Sequence, residues 1–295
     1  MTHVEDELAD QPACWARAAD EAAGHTEALP RPGERVALVG CGTSCFMAQA
    51  AAALREGAGH GETDAFAASE FPHRRRYDRV VALTRSGTTT EVLDLLARLR
   101  GHTRTTAITA DPHTPVATAA DHVVVLDYAD ERSVVQTRFA TTALTLLRAH
   151  LGLHTDAVVE EGRTALAEPL PQGLLDCGQF TFLGRGWTVG LANEAALKMR
   201  EASLAWTEAY SAMEYRHGPV SISTEGTAVW AFGEAPPGLA DDVRATGALW
   251  IEGAPDPLAE LVRAQRLAVA YAAARGLDPD RPRHLARSVI LTPEP

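Results

Sequence analysis

One arrangement occurs twice in this chain and constrains its fold more than any other feature. A short apolar run, Val36-Ala37-Leu38-Val39, ends at Gly40-Cys41-Gly42-Thr43-Ser44 and leads into an Ala-rich helical stretch from Phe46 to Arg55. Far downstream, Phe180-Thr181-Phe182-Leu183 precedes Gly184-Arg185-Gly186-Trp187-Thr188 and a helical stretch from Leu191 to Ala205. Strand, tight glycine turn and helix, in that order, are the building block of an α/β fold. Other segments extend it. Val80-Val81-Ala82-Leu83 leads through the polar loop Thr84–Thr90 into a helix from Glu91 to Arg100. Thr105–Thr109 and His122–Leu126 read as further strands, and Thr137–His150 as a helix. The second half adds strands at Thr227–Phe232 and Ala248–Glu252 and a helix from Pro257 to Arg275. Such alternation predicts parallel sheets covered by helices on both faces. The recurrence predicts an internal duplication of the α/β unit, joined by the segment around residues 152–178. Residues 5–28, rich in Ala and Glu, read as one or two helices that end before Pro30-Arg31-Pro32-Gly33.

Composition excludes several function classes. The 295 residues allow one large domain or two medium ones. A net charge of −12, from 27 basic and 39 acidic residues, repels nucleic acid and anionic membrane, and neither is expected as a partner. A small anionic substrate stays compatible, because backbone N–H groups can build a locally positive site. The four cysteines, Cys14, Cys41, Cys45 and Cys177, are too scattered for a disulfide framework. Cys41 and Cys45 are four apart, but no Cys or His cluster nearby completes a metal site, so no metal is expected. The start of the chain is acidic and lacks an apolar signal core, and no apolar run of membrane-spanning length occurs. A cytoplasmic location is expected.

Three clusters can carry chemistry. Gly40-Cys41-Gly42 could open a dinucleotide fingerprint, but Cys45 stands where a third glycine or alanine is expected, and Asp64 is the nearest candidate for a ribose ligand. The loop Thr84-Arg85-Ser86-Gly87-Thr88-Thr89-Thr90 offers five hydroxyls, a glycine and an arginine between a strand and a helix, with Thr43 and Ser44 at the equivalent end of a neighbouring strand. Hydroxyls and amides at helix starts complement phosphate oxygens; a Ser/Thr-rich turn that merely caps a helix has the same composition. In the stretch Glu194–Glu201, Glu194 and Lys198 share a helix face, as do Leu197 and Glu201. The pattern fits either a solvated face with ion pairs or a partly buried carboxylate suited to general-base work. His217, in Tyr215-Arg216-His217-Gly218-Pro219, reads as a turn residue or a proton-transfer group.

Taken together and in order, these segments resemble the sugar isomerase (SIS) domains, with the spacing of the isomerase half of glucosamine-6-phosphate synthase. Glu131-Arg132-Ser133-Val134-Val135-Gln136-Thr137-Arg138 and the C-terminal stretch Asp278–Val289 add to the resemblance, which runs from about residue 30 to the end. It implies two tandem SIS domains, each a five-stranded, doubly wound, flavodoxin-like parallel sheet flanked by helices. Their expected bounds are 30–151 and 152–295, after an N-terminal helical segment, 1–29. It implies a homodimer and no cofactor. It implies a phosphate site of Ser44, Ser86 and Thr89, with Thr43, Thr84 and Arg85 nearby, and a sugar lined by Val134, Gln136 and Ala286. Glu201 matches the glutamate that shuttles a proton between the first two sugar carbons. Lys198 matches a lysine near the reacting oxygens. His217 matches a histidine that assists ring opening, often in the partner subunit's site.

The chain departs from the synthase in three ways. The glutaminase domain is expected to be absent. Thr84-Arg85 replaces the usual Ser-Gln. Arg287 stands where the synthase has a lysine near the sugar carbonyl, and an arginine forms no Schiff base readily. The expected activity is therefore that of a phosphosugar isomerase or an amino-sugar-phosphate deaminase/isomerase, with Glu201, His217, Lys198 and Arg287 at the reacting end. The alternatives are a fructosamine-6-phosphate deglycase and a non-enzymatic sugar-phosphate sensor; a nicotinamide-dependent dehydrogenase is a third.

Overall fold

The computed structural model describes residues 2–153, 155–253 and 255–291. The chain divides into two compact units. One comprises Ala13–Arg132, Arg138–Thr155 and the residues from Ala286 onward; we call it the hydroxyl-loop unit. The other comprises the residues up to Pro12, Ser133–Thr137 and Asp156–Leu285; we call it the lysine unit. The expected boundary at residues 151 and 152 lies just ahead of the change at Thr155 and Asp156. The first helix, α1 (His3–Glu21), supplies residues to both units and carries Pro12 in its interior.

In the hydroxyl-loop unit, β1 (Val36–Gly40), α2 (Thr43–Gly57), β2 (Thr63–Ala67), β3 (Arg79–Leu83), α3 (Thr90–Leu99), β4 (Arg104–Thr109), a short α4 (Val116–Ala119), β5 (His122–Val125) and α5 (Arg138–His150) follow in sequence. The sheet has the order β2-β1-β3-β4-β5 and every pairing is parallel. All five positions of β1 and of β3 are buried, which explains why both read as continuous apolar runs rather than alternating ones. Val39, Val80 and Ala82 pack on Val92, Leu95, Leu96 and Leu99 of α3. An edge-to-face group, Phe66, Phe71 and Tyr77, belongs to the same core.

The lysine unit contains α6 (Asp156–Ala167), β6 (Gln179–Gly184), α7 (Thr188–Ser203), β7 (Trp206–Ser211), β8 (Thr227–Ala231), α8 (Leu239–Ala245), β9 (Leu249–Glu252) and α9 (Pro257–Ala274). Its sheet is again parallel, in the order β7-β6-β8-β9. Asp256 caps α9 by accepting from the Leu258 N–H at 2.9 Å, and Pro257 takes the first helical position, where its missing N–H costs nothing. Val269 of α9 also packs on Val4 and Leu8 of α1.

The structure corrects one expectation. Among the described residues the second sheet has four strands, not five. After β9 the chain goes into α9, and the segment that follows carries Pro279 and Pro282. Each proline lacks the N–H that a ladder needs, so this stretch is a poor fifth strand. No helix among the described residues is long and apolar enough to cross a membrane.

Candidate functional site

In the hydroxyl-loop unit the winding reverses between β1 and β3: β2 lies on one side of this pair, and β4 and β5 on the other. Crevices at the carboxyl ends of strands form at such reversals, and ligands bind there. The segments that leave β1 and β3 at this edge are Gly40–Ser44 and Thr84–Thr90. Gly40 is required by close approach, since a Cβ there would lie 2.6 Å from the Ser44 carbonyl carbon. The missing side chain lets the first turn of α2 come up against the strand end, burying Thr43 and Ser44. Gly87 has φ +63°, and a Cβ on it would meet Thr114 Oγ1 at 2.0 Å. The loop is thus folded tightly, with Ser86 Oγ accepting from the Thr88 N–H at 3.3 Å and lying 3.5 Å from Thr89 Oγ1.

Two observations favour an anion there over a simple cap. Neither α2 nor α3 has a side-chain cap on its first turn, whereas α9 does. Thr84 is buried, yet its Oγ1 has no hydrogen-bond partner among the described residues. A buried hydroxyl left without a partner costs about 1–3 kcal/mol, and an anion's oxygen would satisfy this one.

Arg85 does not face this crevice as a free cation. It is buried, its Nη1 lies 3.4 Å from Glu131 Oε2, and its Nη2 donates to the Arg287 carbonyl at 3.0 Å. Arg287 donates to the Glu131 carbonyl and is ion-paired with Asp130. Ala286 lies beside it at the start of the tail. Asp64, the nearest candidate ribose ligand, accepts from Tyr77 Oη at 2.6 Å and pairs with Arg75, which disfavours the nicotinamide reading. Burial, reinforced by the Glu91 carboxylate, pushes the Cys41 thiol up to about 11.

The lysine unit repeats the glycine turn with different contents. A Cβ on Gly184 would lie 2.3 Å from the Thr188 carbonyl oxygen, so α7 approaches β6 as α2 approaches β1. Here the first helical hydroxyl is already engaged: Thr188 Oγ1 lies 2.9 Å from the Phe232 carbonyl and accepts from the Arg185 N–H at 2.8 Å. Charge appears further along α7. Lys198 is 1% exposed and lies 3.4 Å from Glu194 Oε1, on a side chain that is fully buried. On its other side it is hydrogen-bonded to Glu201 Oε2, whose side chain keeps 19% exposure. The expected Glu194–Lys198 pairing is thus realised, and Lys198 also pairs with Glu201, which the sequence pattern places on the face of Leu197.

The remaining candidates are dispersed. His217 is exposed on a one-turn helix after β7, and no hydrogen bond or ion pair joins it to the triad among the described residues. Val134 and Gln136 lie half-buried in Ser133–Thr137 of the lysine unit, where Glu7 accepts from the Ser133 N–H and hydroxyl. Glu7 and Glu131 are the polar residues that sequence reasoning left without a role, since each acts on a partner distant along the chain.

Comparison with known proteins follows the same outline. Residues 31–151 match the SIS domain family. The chain is 29% identical to the glutamine–fructose-6-phosphate aminotransferase (isomerizing) of Methanothermobacter thermautotrophicus, over 92% of this chain and 54% of that protein. It is 30% identical to the enzyme of the same name from Symbiobacterium thermophilum, over 91% and 53%. The chain therefore spans about half the length of the curated relatives it matches. Among solved structures it is similar to a glucosamine-6-phosphate deaminase from Thermotoga maritima, at 26% identity and TM-score 0.81, over 98% of this chain and all of that one. A tagatose-6-phosphate ketose/aldose isomerase from Escherichia coli shares the fold, at 19% identity and TM-score 0.77, over 99% and 98%.

Proposed function

We propose that the chain is an amino-sugar-phosphate deaminase/isomerase of the glucosamine-6-phosphate type. The observation that carries this reading is the α7 triad, a buried lysine held between two carboxylates of which Glu201 alone keeps access to solvent. Glu201 is the base in this reading. It takes the proton from C2 of the open-chain amino sugar and returns it to C1. The C1 oxygen gains a proton as the C2 nitrogen gives one up, leaving an imine at C2. Water hydrolyses that imine to fructose 6-phosphate and ammonia. The Lys198 ammonium offsets negative charge that develops on the C1 oxygen.

Ser44, Ser86 and Thr89, with Thr43 and Thr84, hold a sugar phosphate in this reading, a handle remote from the reacting carbons. In this reading Val134 and Gln136, of the lysine unit, line the sugar. His217 assists ring opening, reaching the site of the partner in a homodimer. Arg287 takes no part in the proton chemistry in this reading, because its guanidinium is engaged by Asp130 and the Glu131 carbonyl. The likeness to a glucosamine-6-phosphate deaminase along its full length supports the choice of an amino sugar.

Incubation with glucosamine 6-phosphate tests this. Ammonia and fructose 6-phosphate are expected in equal amounts, and Glu201→Gln is expected to lower kcat by roughly 10²–10⁴. Wild-type turnover by that variant removes Glu201 as the base. A rise in melting temperature with phosphosugars, but no conversion of any, makes the chain a sensor instead.

A further inference from the structure

Three segments of the hydroxyl-loop unit converge on Arg85: the loop itself, Asp130-Glu131, and the C-terminal tail. Arg85 links the first two through Glu131, and reaches the third through the Arg287 carbonyl. Arg287 returns the contact by donating to the Glu131 carbonyl and to Asp130. Glu131, itself buried, also accepts the Arg138 N–H at 2.8 Å where α5 begins. Further along, Thr88 Oγ1 donates to Ser288 Oγ at 2.9 Å. The Thr90 N–H donates to the Val289 carbonyl at 3.2 Å, and the Leu291 N–H to Thr90 Oγ1 at 2.9 Å. The loop is thus divided by role: Thr88 and Thr90 hold the tail, whereas Thr84, Ser86 and Thr89 make no hydrogen bond to it among the described residues.

We propose that Arg85 is a positioning residue that, with Glu131, fastens the C-terminal tail along the loop and so fixes the loop's shape before an anion arrives. The physical ground is the burial of the pair. A guanidinium and a carboxylate held out of water must stay together, and the spare Arg85 donor then has a fixed direction, onto the Arg287 carbonyl. A glutamine at position 85 cannot neutralise Glu131, so the tail loses its charge-assisted anchor. Tail and anion use different groups of one loop, so each stabilises the arrangement that the other needs. Only this coupling rests on the anion reading of the loop; the fastening does not.

Tryptic cleavage at Arg287–Ser288, followed by intact mass, is the test. Arg85→Gln is expected to speed this cut about tenfold, with Arg85→Lys intermediate and Glu131→Gln in the same direction. Cleavage at Arg263 within α9 serves as the control for general loosening and is expected to keep its rate. Inorganic phosphate is expected to slow the Arg287 cut in the wild type and to do so far less in Arg85→Gln. A wild-type rate at Arg287 in both Arg85→Gln and Glu131→Gln overturns the proposal, as does an equal rise at Arg263. If Arg85→Gln frees the tail but phosphate slows nothing, the fastening stands and the anion reading of the loop falls. Should Arg85→Gln not fold, Arg85→Lys and Glu131→Gln carry the same comparison.

Discussion

The two glycine turns are built alike and equipped differently. Gly40 and Gly184 each let a helix start against a strand end, and in each case a Cβ would collide with the backbone of the fourth residue on. Each turn sits at the reversal point of a parallel sheet whose first strand is second from the edge. Beyond that the contents separate. Among the described residues the hydroxyl-loop unit keeps a buried Thr84 hydroxyl without a hydrogen-bond partner. The lysine unit satisfies its Thr188 hydroxyl internally, replaces the Ser/Thr loop by Gly233-Glu234-Ala235-Pro236-Pro237, and buries two charges on α7, Glu194 and Lys198, beside the partly exposed Glu201. Amides and hydroxyls suit a ligand that brings its own charge. A preformed ion triad suits a reaction in which charge must move.

The largest effect expected is in the triad. Lys198→Met leaves Glu194 buried without its cation and should destabilise the protein by about 3–5 kcal/mol in urea unfolding. Adding Glu194→Gln should recover part of that loss, and strict additivity of the two would break the picture of a coupled triad. Next come the turns. Gly40→Ala and Gly184→Ala should each cost about 1–3 kcal/mol, because the clash is with backbone, and a tolerant turn would show that the two are not equivalent. Thr84→Val should be neutral or stabilising by up to about 1 kcal/mol while weakening protection of the fold by phosphosugars, since it removes a hydroxyl that only a ligand would satisfy.

The smallest effect is chemical. With its thiol near 11, Cys41 should be alkylated slowly by iodoacetamide at pH 8, and the rate should climb only as the pH approaches that value. Rapid labelling at pH 8 would mean that the turn is more open than its contacts indicate.

These contrasts were legible in the chain to different depths. The buried strands β1, β3, β6 and β8 declared themselves as apolar runs, and the glycine turns as local patterns. Thr63-Asp64-Ala65-Phe66-Ala67 and Trp206-Thr207-Glu208-Ala209-Tyr210-Ser211, which form β2 and β7, did not. Both are edge strands and mostly half-buried, so neither needs the apolar run that marks a central strand. The i,i+3 contact of Lys198 with Glu201 went unread, but the Glu194–Lys198 pair was readable because a helix brings i and i+4 together. Its burial was not, because that depends on what packs over α7. Arg85 is the sharpest case. Its charge suggested a ligand contact, but it pairs with Glu131, which is distant in sequence and joined to it only by the fold.

The threading of the chain sets a limit on how it can be divided. The hydroxyl-loop unit recovers its last segment from the far end of the sequence, and the lysine unit takes residues from the opening helix and from Ser133–Thr137. A gene split between codons 151 and 152 would yield a first half without the strap of Ala286–Leu291 and a second half without Val4 and Leu8 to cover Val269. Neither half would be a self-sufficient module for shuffling or fusion. Recombination that exchanged one half alone would have to match both crossings as well as the break.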